Sequence, residues 1–352
     1  MKNKKKLFLF LIPALVIALL TCFAVCRRLS AGGVQIPEKN RELSYVCFGK
    51  YPQSQVKDEK LIKELERLPL RWQSYGYYNG DGSLGSAVQS DYMQYADVGF
   101  DGETYRAVRF SDYRSFCCHT DPKGTSWQPA LFDLDTVYWY RFDPIRWVIL
   151  SKSENLLMSE LILDSQPFNS IIYAKKPELG FDAPAFYKDE AFTIYATDYY
   201  TSDLRGWLNA DFYETAFSDD EKALITESEQ DNAAWSRRYS EYDSPASLDR
   251  VFLLSYAEAT NPAYGFSKTA DRTDDLRTAY ATDYAVCQGI CTMQDFDRDG
   301  TAWWWLRTGG VSSMLNLGVN FYGSIRFTLT TPYTPDCVDT GVRPALRLSR
   351  LP

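Results

Sequence analysis

Near the C-terminus three tryptophans stand side by side, Trp303, Trp304 and Trp305, followed by Leu306, Arg307 and Thr308. Aromatic side chains bury roughly 150–250 Å² each, so a stable domain cannot leave all three in water. Read as a strand, the stretch sends Trp303 and Trp305 to one face and Trp304 to the other. A strand that is aromatic on both faces has to be covered on both. The run is therefore expected to anchor a sheet. A ring left at an edge, Trp303 or Trp305, would offer a flat platform for a sugar.

The preceding chain offers the rest of such a sheet. Leu43 to Phe48 reads as a strand stopped by the Gly49 and Pro52 turn signals. Leu61, Ile62, Leu65 and Leu68 repeat at helical spacing within residues 57–68. Asp91 to Phe110 reads as two strands around Asp101-Gly102. Val137 to Phe142 and Arg146 to Leu150 read as a strand pair split at Asp143-Pro144, and Leu156 to Leu163 as another strand. A helix capped by Thr201 or Ser202 buries Leu204, Trp207, Leu208 and Phe212 on one side. Ser218 with Glu221, and Ser255 with Glu258, have the spacing of capping boxes. Between and after them come a buried strand at Arg250 to Leu254 and a short helix within Asp274 to Val286. A hairpin is expected from Leu315 to Phe321 and Ile325 to Thr331. Runs of strands with a few short helices define an α+β class with twisted antiparallel sheets.

Met1 to Lys6 holds four lysines, and Leu7 to Cys26 is a nearly unbroken apolar run closed by Arg27-Arg28. About 20 such residues span a ~30 Å hydrocarbon core, and basic residues ahead of the span keep the N-terminus inside. Residues 1–30 are expected to be one transmembrane helix that acts as a signal-anchor, with a cleaved signal segment as the alternative. Residues 31–42 then form a linker, and residues 43–352 a single extracellular domain on the cell surface.

The formal net charge is −8, and six of the positive charges flank the apolar run. The exported part is more acidic still, which argues against nucleic acid as a partner. The single histidine, His119, rules out His-dependent triads and multi-His zinc sites. Six cysteines lie beyond the apolar run: Cys47, Cys117, Cys118, Cys287, Cys291 and Cys337. An even number in an oxidising compartment is compatible with disulfides, whose connectivity the spacing leaves open.

Six ordered phrases carry a likeness: Phe48-Gly-Lys-Tyr-Pro-Gln53, Pro144 to Leu150, Leu204-Arg-Gly-Trp-Leu-Asn209, Val251 to Ser255, Trp304-Trp-Leu-Arg307 and Gly341-Val-Arg-Pro-Ala-Leu346. Together they resemble the bacterial domain-of-unknown-function family 6273, found in exported proteins of gut Firmicutes, over about Leu43 to Leu348. Shorter members run from the first phrase almost directly to the second, so residues 57–136 look like an elaboration. The order of helix, tryptophan strand, hairpin and final Arg-containing strand is also similar to C-type-lectin-like folds, including that of formylglycine-generating enzymes. That likeness is architectural, and the cysteine pair of those enzymes has no counterpart here.

Candidate sites follow from chemistry. Asp295, Asp297 and Asp299 ahead of Gly300 resemble the first half of a calcium loop, since Ca²⁺ takes several oxygens and Gly permits the turn. The twelfth position, where an EF-hand has Glu, is Leu306, so the loop is either a shorter calcium site or a solvated acidic turn. No other cofactor is expected. Arg307 and Arg343 fall on expected core strands, where they either bond loop carbonyls and carboxylates or take an anionic ligand. Tyr77 and Tyr78, within Tyr75 to Tyr78, and Tyr195 to Tyr200 make a tyrosine-rich recognition surface or simple loop packing. The expected function is a membrane-anchored, non-catalytic domain that binds a surface protein or glycan. The alternative is a glycan or cell-wall hydrolase, which needs two carboxylates roughly 5–10 Å apart.

Overall fold

The computed structural model describes residues 43–75, 93–111, 113, 131–169, 185–189, 192–195, 197–294, 298–312, 315–326 and 339–351. The long strand Tyr138–Ser151 is the spine of a nine-stranded antiparallel sheet. Tyr45–Gln55 lies along one of its edges, from Tyr140 to Val148. A strand has only two hydrogen-bonding edges, so the other is shared. Glu103–Phe110 takes its beginning and Leu156–Ser159 its end. The sheet then extends one way through Met93–Phe100 to Gln73–Tyr75. The other way it passes to Ala345–Leu348, which pairs with both Ile225–Thr226 and Val251–Phe252.

Two expected breaks in this sheet are absent. Gly49 and Pro52 do not stop the first strand, and Asp143-Pro144 does not split the spine. Both pairs fall at register shifts between these two strands, and Lys50 sits opposite Pro144. A bulge tolerates the missing proline N–H, and Gly49, at φ +70°, supplies the left-handed residue it needs. Asp101 and Gly102, both at positive φ, close the expected hairpin between Met93–Phe100 and Glu103–Phe110.

The tryptophan run opens the central strand of a second, five-stranded sheet. Trp304–Ser312 lies between Leu315–Val319 and Gly341–Val342, with Ile325–Arg326 and Asp164–Ser165 at the edges. Alternation operates as expected. Trp303 and Trp305 join the core that holds Trp147 and Phe212, whereas Trp304 and Leu306 join the one that holds Phe252 and Leu317. Trp304 Nε1 donates to the Arg277 carbonyl and Trp305 Nε1 to that of Gln166, each at 2.9 Å. A third, smaller core of Val56, Leu65, Ala96, Ala107 and Trp139 lies beneath the helix Glu59–Leu65. The chain is thus α+β, sheet-rich and served by few short helices. The stretch 57–136 adds three strands to the large sheet.

Ser202 caps the helix that starts at Asp203–Trp207, and both expected capping boxes form at Ser218 and Ser255. Beyond Trp207 the helix widens into a π-turn over Leu208–Phe212. Asn209 lies in that turn. Its amide nitrogen donates to the Arg205 and Val251 carbonyls, and its oxygen accepts from the Arg250 and Val251 N–H groups. The helix expected within Asp274 to Val286 is confined to Asp283–Cys287, capped by Thr282. The residues before it wrap around Arg277, whose guanidinium donates to five carbonyls, those of Ala259, Ser267, Thr269, Arg272 and Gly323.

The expected transmembrane segment, residues 1–30, and the linker lie outside the described residues. Among the described residues no helix is long and apolar enough to cross a membrane. Cys47 is disulfide-bonded. Cys287 and Cys291 are buried, and burial pushes the Cys287 thiol well above its ordinary range.

Candidate functional site

Where the hairpin Met93–Phe100/Glu103–Phe110 meets the edge of the five-stranded sheet, polar side chains from seven separate stretches of chain converge. Strand alternation puts Met93, Tyr95 and Asp97 on the hairpin face shared by their partners Phe110, Val108 and Arg106. That face looks into the main core, so Arg106 is buried. It is also fully committed. Its Nε and Nη2 donate to the two oxygens of Asp97, both at 2.7 Å, and Nη1 donates to the Tyr284 hydroxyl at 3.0 Å. Its carbon centre lies 4.5 Å from the Tyr95 ring centroid. Gln288, one turn beyond Tyr284, donates to the same hydroxyl at 2.7 Å.

Beside this group the Tyr51 hydroxyl donates to Asp164 Oδ2 at 2.6 Å. Asp164 Oδ1 accepts from the Ser165 N–H at 2.7 Å and from Gln166 Nε2 at 3.1 Å. Gln166 also donates to the Tyr75 hydroxyl. Tyr51 meets Tyr284 edge to face at 5.8 Å, and Tyr75 meets Tyr95 in the same way at 5.9 Å. The result is a layered arrangement. Asp164, Gln166, Tyr51, Tyr284 and Arg106 form a buried, hydrogen-bonded floor, and Tyr75 and Tyr95 stand half-buried above it with the exposed Asp97 and Asp211.

Burial raises the Tyr51 and Tyr284 phenols well above their ordinary range, and the Asp164 carboxyl adds to both. Both stay neutral, Tyr51 donating to Asp164 and Tyr284 accepting from Arg106 and Gln288. Burial alone would lower the Arg106 guanidinium, but Tyr284 and Asp97 outweigh it and the net shift is upward. Burial also raises the Asp211 carboxyl. Asp211 reaches the rim from the π-turn, close enough to push the Tyr95 phenol up further. Chemically, the rim offers two aromatic rings and two carboxylates on a rigid base.

The residues singled out from sequence are distributed differently. Trp303 is buried, edge to face with Phe321 at 5.9 Å, and Trp305 is buried against Phe168. Arg343 is buried over the Trp304 ring and donates to the carbonyls of Ser159, Glu160, Leu276 and Arg277. Burial pushes it down to about 10. Arg307 donates to the Leu253 carbonyl at 2.6 Å and the Asp231 carbonyl at 3.3 Å, and pairs with Glu258 at 2.5 Å. Tyr199 is buried and Tyr200 exposed. Asp299 is exposed next to Gly300, whereas Asp295, Asp297, Tyr77 and Tyr78 lie outside the described residues. Among the described residues no group of three His, Cys, Asp or Glu side chains is placed to hold a metal ion.

Sequence reading missed Arg106, Asp164, Gln166 and Tyr284. An arginine facing inward from an otherwise apolar strand face was visible in Tyr105 to Phe110, and its partner Asp97 lay across the expected hairpin. No sequence signal linked these to Asp164 or Tyr284.

Fold and site together define an α+β scaffold with a polar, aromatic rim. Residues 153–350 match the family described as Domain of unknown function (DUF6273), and the chain belongs to that family. No curated protein and no solved structure matches it. The match begins just after the spine strand. Asp164, Gln166, Asp211, Tyr284 and Gln288 therefore fall inside the matched segment, and Tyr51, Tyr75, Tyr95, Asp97 and Arg106 fall outside it.

Proposed function

We propose that this is a membrane-anchored extracellular recognition domain of C-type-lectin-like architecture. On this reading residues 1–30 tether it to the cell membrane and the rim binds a surface protein or glycan without catalysis. The observation that supports it is the half-exposed Tyr75–Tyr95 pair on a fully bonded buried floor. Tyrosine gives contact area at low entropic cost, and a rigid scaffold under loops is how binding sites are generally held. The buried clamps at Arg277 and Arg343 serve the same end by fixing loop carbonyls.

The test compares the intact chain with Tyr95→Ala on combined glycan, peptide and cell-surface-protein arrays. Binding lost in the variant is expected. Equal binding by both would move the site elsewhere, and no binding by either would sink the reading. Calcium at Asp295, Asp297 and Asp299 belongs to the same proposal. Calcium should raise Tm and a chelator reverse it, and an unchanged Tm removes the ion.

A hydrolase remains the second reading, because Asp211 is a carboxyl whose raised pKa suits a general acid at the same rim. Turnover of chromogenic glycosides, abolished in Asp211→Asn, would support it. Rates equal to buffer would remove it.

A further inference from the structure

Gly309, in the strand Trp304–Ser312, is a glycine that its backbone does not require, because its φ lies outside the left-handed region. At Gly310 and Gly341 packing demands glycine, since a Cβ would run into the Leu315 carbonyl or the Ile162 side chain. At Gly309 nothing comes that close. The three atoms nearest to a Cβ there are all oxygens, Tyr242 O at 3.2 Å, Thr197 O at 3.6 Å and Thr197 Oγ1 at 3.8 Å. The missing side chain leaves these three oxygens facing one point above the strand.

A fourth comes from the neighbouring strand. Asn316 is the antiparallel partner of Gly309, and opposed residues share a face with Cβ positions about 4.5–5.5 Å apart. Asn316 is 5% exposed and Thr197 1% exposed. Neither amide atom of Asn316 has a hydrogen-bond partner, and nor does the Thr197 hydroxyl. Buried polar groups without a partner are few in native proteins, and each calls for an explanation such as a bound water or ion.

Charge selects between the two. Asp198 follows Thr197, and its carboxylate accepts from the Tyr200 N–H and from the Thr201 and Ser244 hydroxyls, all of them neutral. Arg307, two residues before Gly309, is engaged with Glu258. A negative charge therefore stands beside a set of neutral oxygens. Hard cations take oxygen ligands, and divalent ones draw carboxylates into their shell. A set of carbonyl, hydroxyl and amide oxygens suits a single charge.

We propose that Thr197 O, Thr197 Oγ1, Tyr242 O and Asn316 Oδ1 bind a monovalent cation, sodium or potassium, over Gly309. A water in the ion's shell accepts from Asn316 Nδ2. The ion fastens the stretches around Thr197 and Tyr242 to the tryptophan strand. This assignment does not depend on the recognition reading above.

Calorimetric melting of the full chain in detergent tests it, at matched chloride concentrations of sodium, potassium, calcium and choline, the last too large for the site. Sodium or potassium should raise Tm over choline by about 2 °C or more, increasing with concentration as ligand binding requires. Asn316→Leu and Thr197→Val remove the oxygens with little change of size, and Gly309→Ala fills the space they face. Each should abolish the difference between the salts, and whichever of them folds serves as the control. Equal Tm in sodium, potassium and choline overturns the ion. A difference that persists in the folded variants is a general salt effect and overturns the site. A rise in calcium alone that the variants abolish overturns the single charge.

Discussion

At the scale of single residues, the buried guanidinium groups do the most to hold the chain's irregular segments. Arg343 and Arg277 each satisfy carbonyls that would otherwise be buried without partners, at four and five carbonyls respectively. Lysine cannot reproduce a planar five-donor fork. Arg343→Lys should cost roughly 3–5 kcal/mol, the range for breaking a buried charged contact, read from urea denaturation. A loss under about 1 kcal/mol, typical of an exposed pair, would mean that the carbonyls find other partners. Asp211 carries a pH signature. Its folded-state pKa is raised by burial, so the folded state binds more protons between the ordinary and the raised value. Stability contributed by the protonated form is therefore lost as pH rises through that window. Asp211→Asn should raise Tm at neutral pH and leave it unchanged below the ordinary carboxylate range. A Tm gain of the same size at both ends would point to packing rather than charge.

Among elements, the tryptophan strand shows how closely neighbours can be packed. Gly341 pairs in parallel with Trp304, and a Cβ there would lie 2.7 Å from Ile290 Cδ1 and 2.9 Å from the Trp303 carbonyl, and closer still to Ile162. Gly341→Ala should cost about 1–3 kcal/mol by overpacking, and an unchanged denaturation midpoint would show the interface to be slack. This strand was also the most legible part of the sequence. Three indoles in a row allow little but a strand covered twice, and the capping residues Ser202, Ser218 and Ser255 announced their helices through local hydrogen bonds. Reading failed where distant partners decide. Pro144 and Pro52 looked like stops, but each lies beside a bulge that only the paired strand reveals. Residues 274–282 looked helical because their own pattern allows it, but distant partners take their carbonyls, Arg343 those of Leu276 and Arg277 and the Trp304 indole that of Arg277. The rim was half legible. Tyr75 stood out as part of a tyrosine cluster, but its support depends on Gln166, which lies 91 residues away.

For the whole molecule, the family match and the folding unit do not coincide. Leu157 pairs with Ile149, and Trp147 shares one core with Leu157, Leu346 and Trp305. A chain of residues 153–352 would lose the spine of the large sheet and expose those side chains. It should show no cooperative thermal transition, whereas residues 43–352 should melt sharply. A sharp melt of the shorter chain, followed by calorimetry, would make the matched segment a domain in its own right. Gly341–Val342 belongs to the five-stranded sheet and Ala345–Leu348 to the nine-stranded one, so Arg343-Pro344 carries the chain from one to the other. Ala345–Leu348 lies inside its sheet, between Leu156–Ser159 on one side and Ile225–Thr226 with Val251–Phe252 on the other. Gly341–Val342 and Ala345–Leu348 are therefore keystones of the two sheets. A chain truncated before Gly341 holds every other described strand and can complete neither sheet, so two short strands decide whether both layers close.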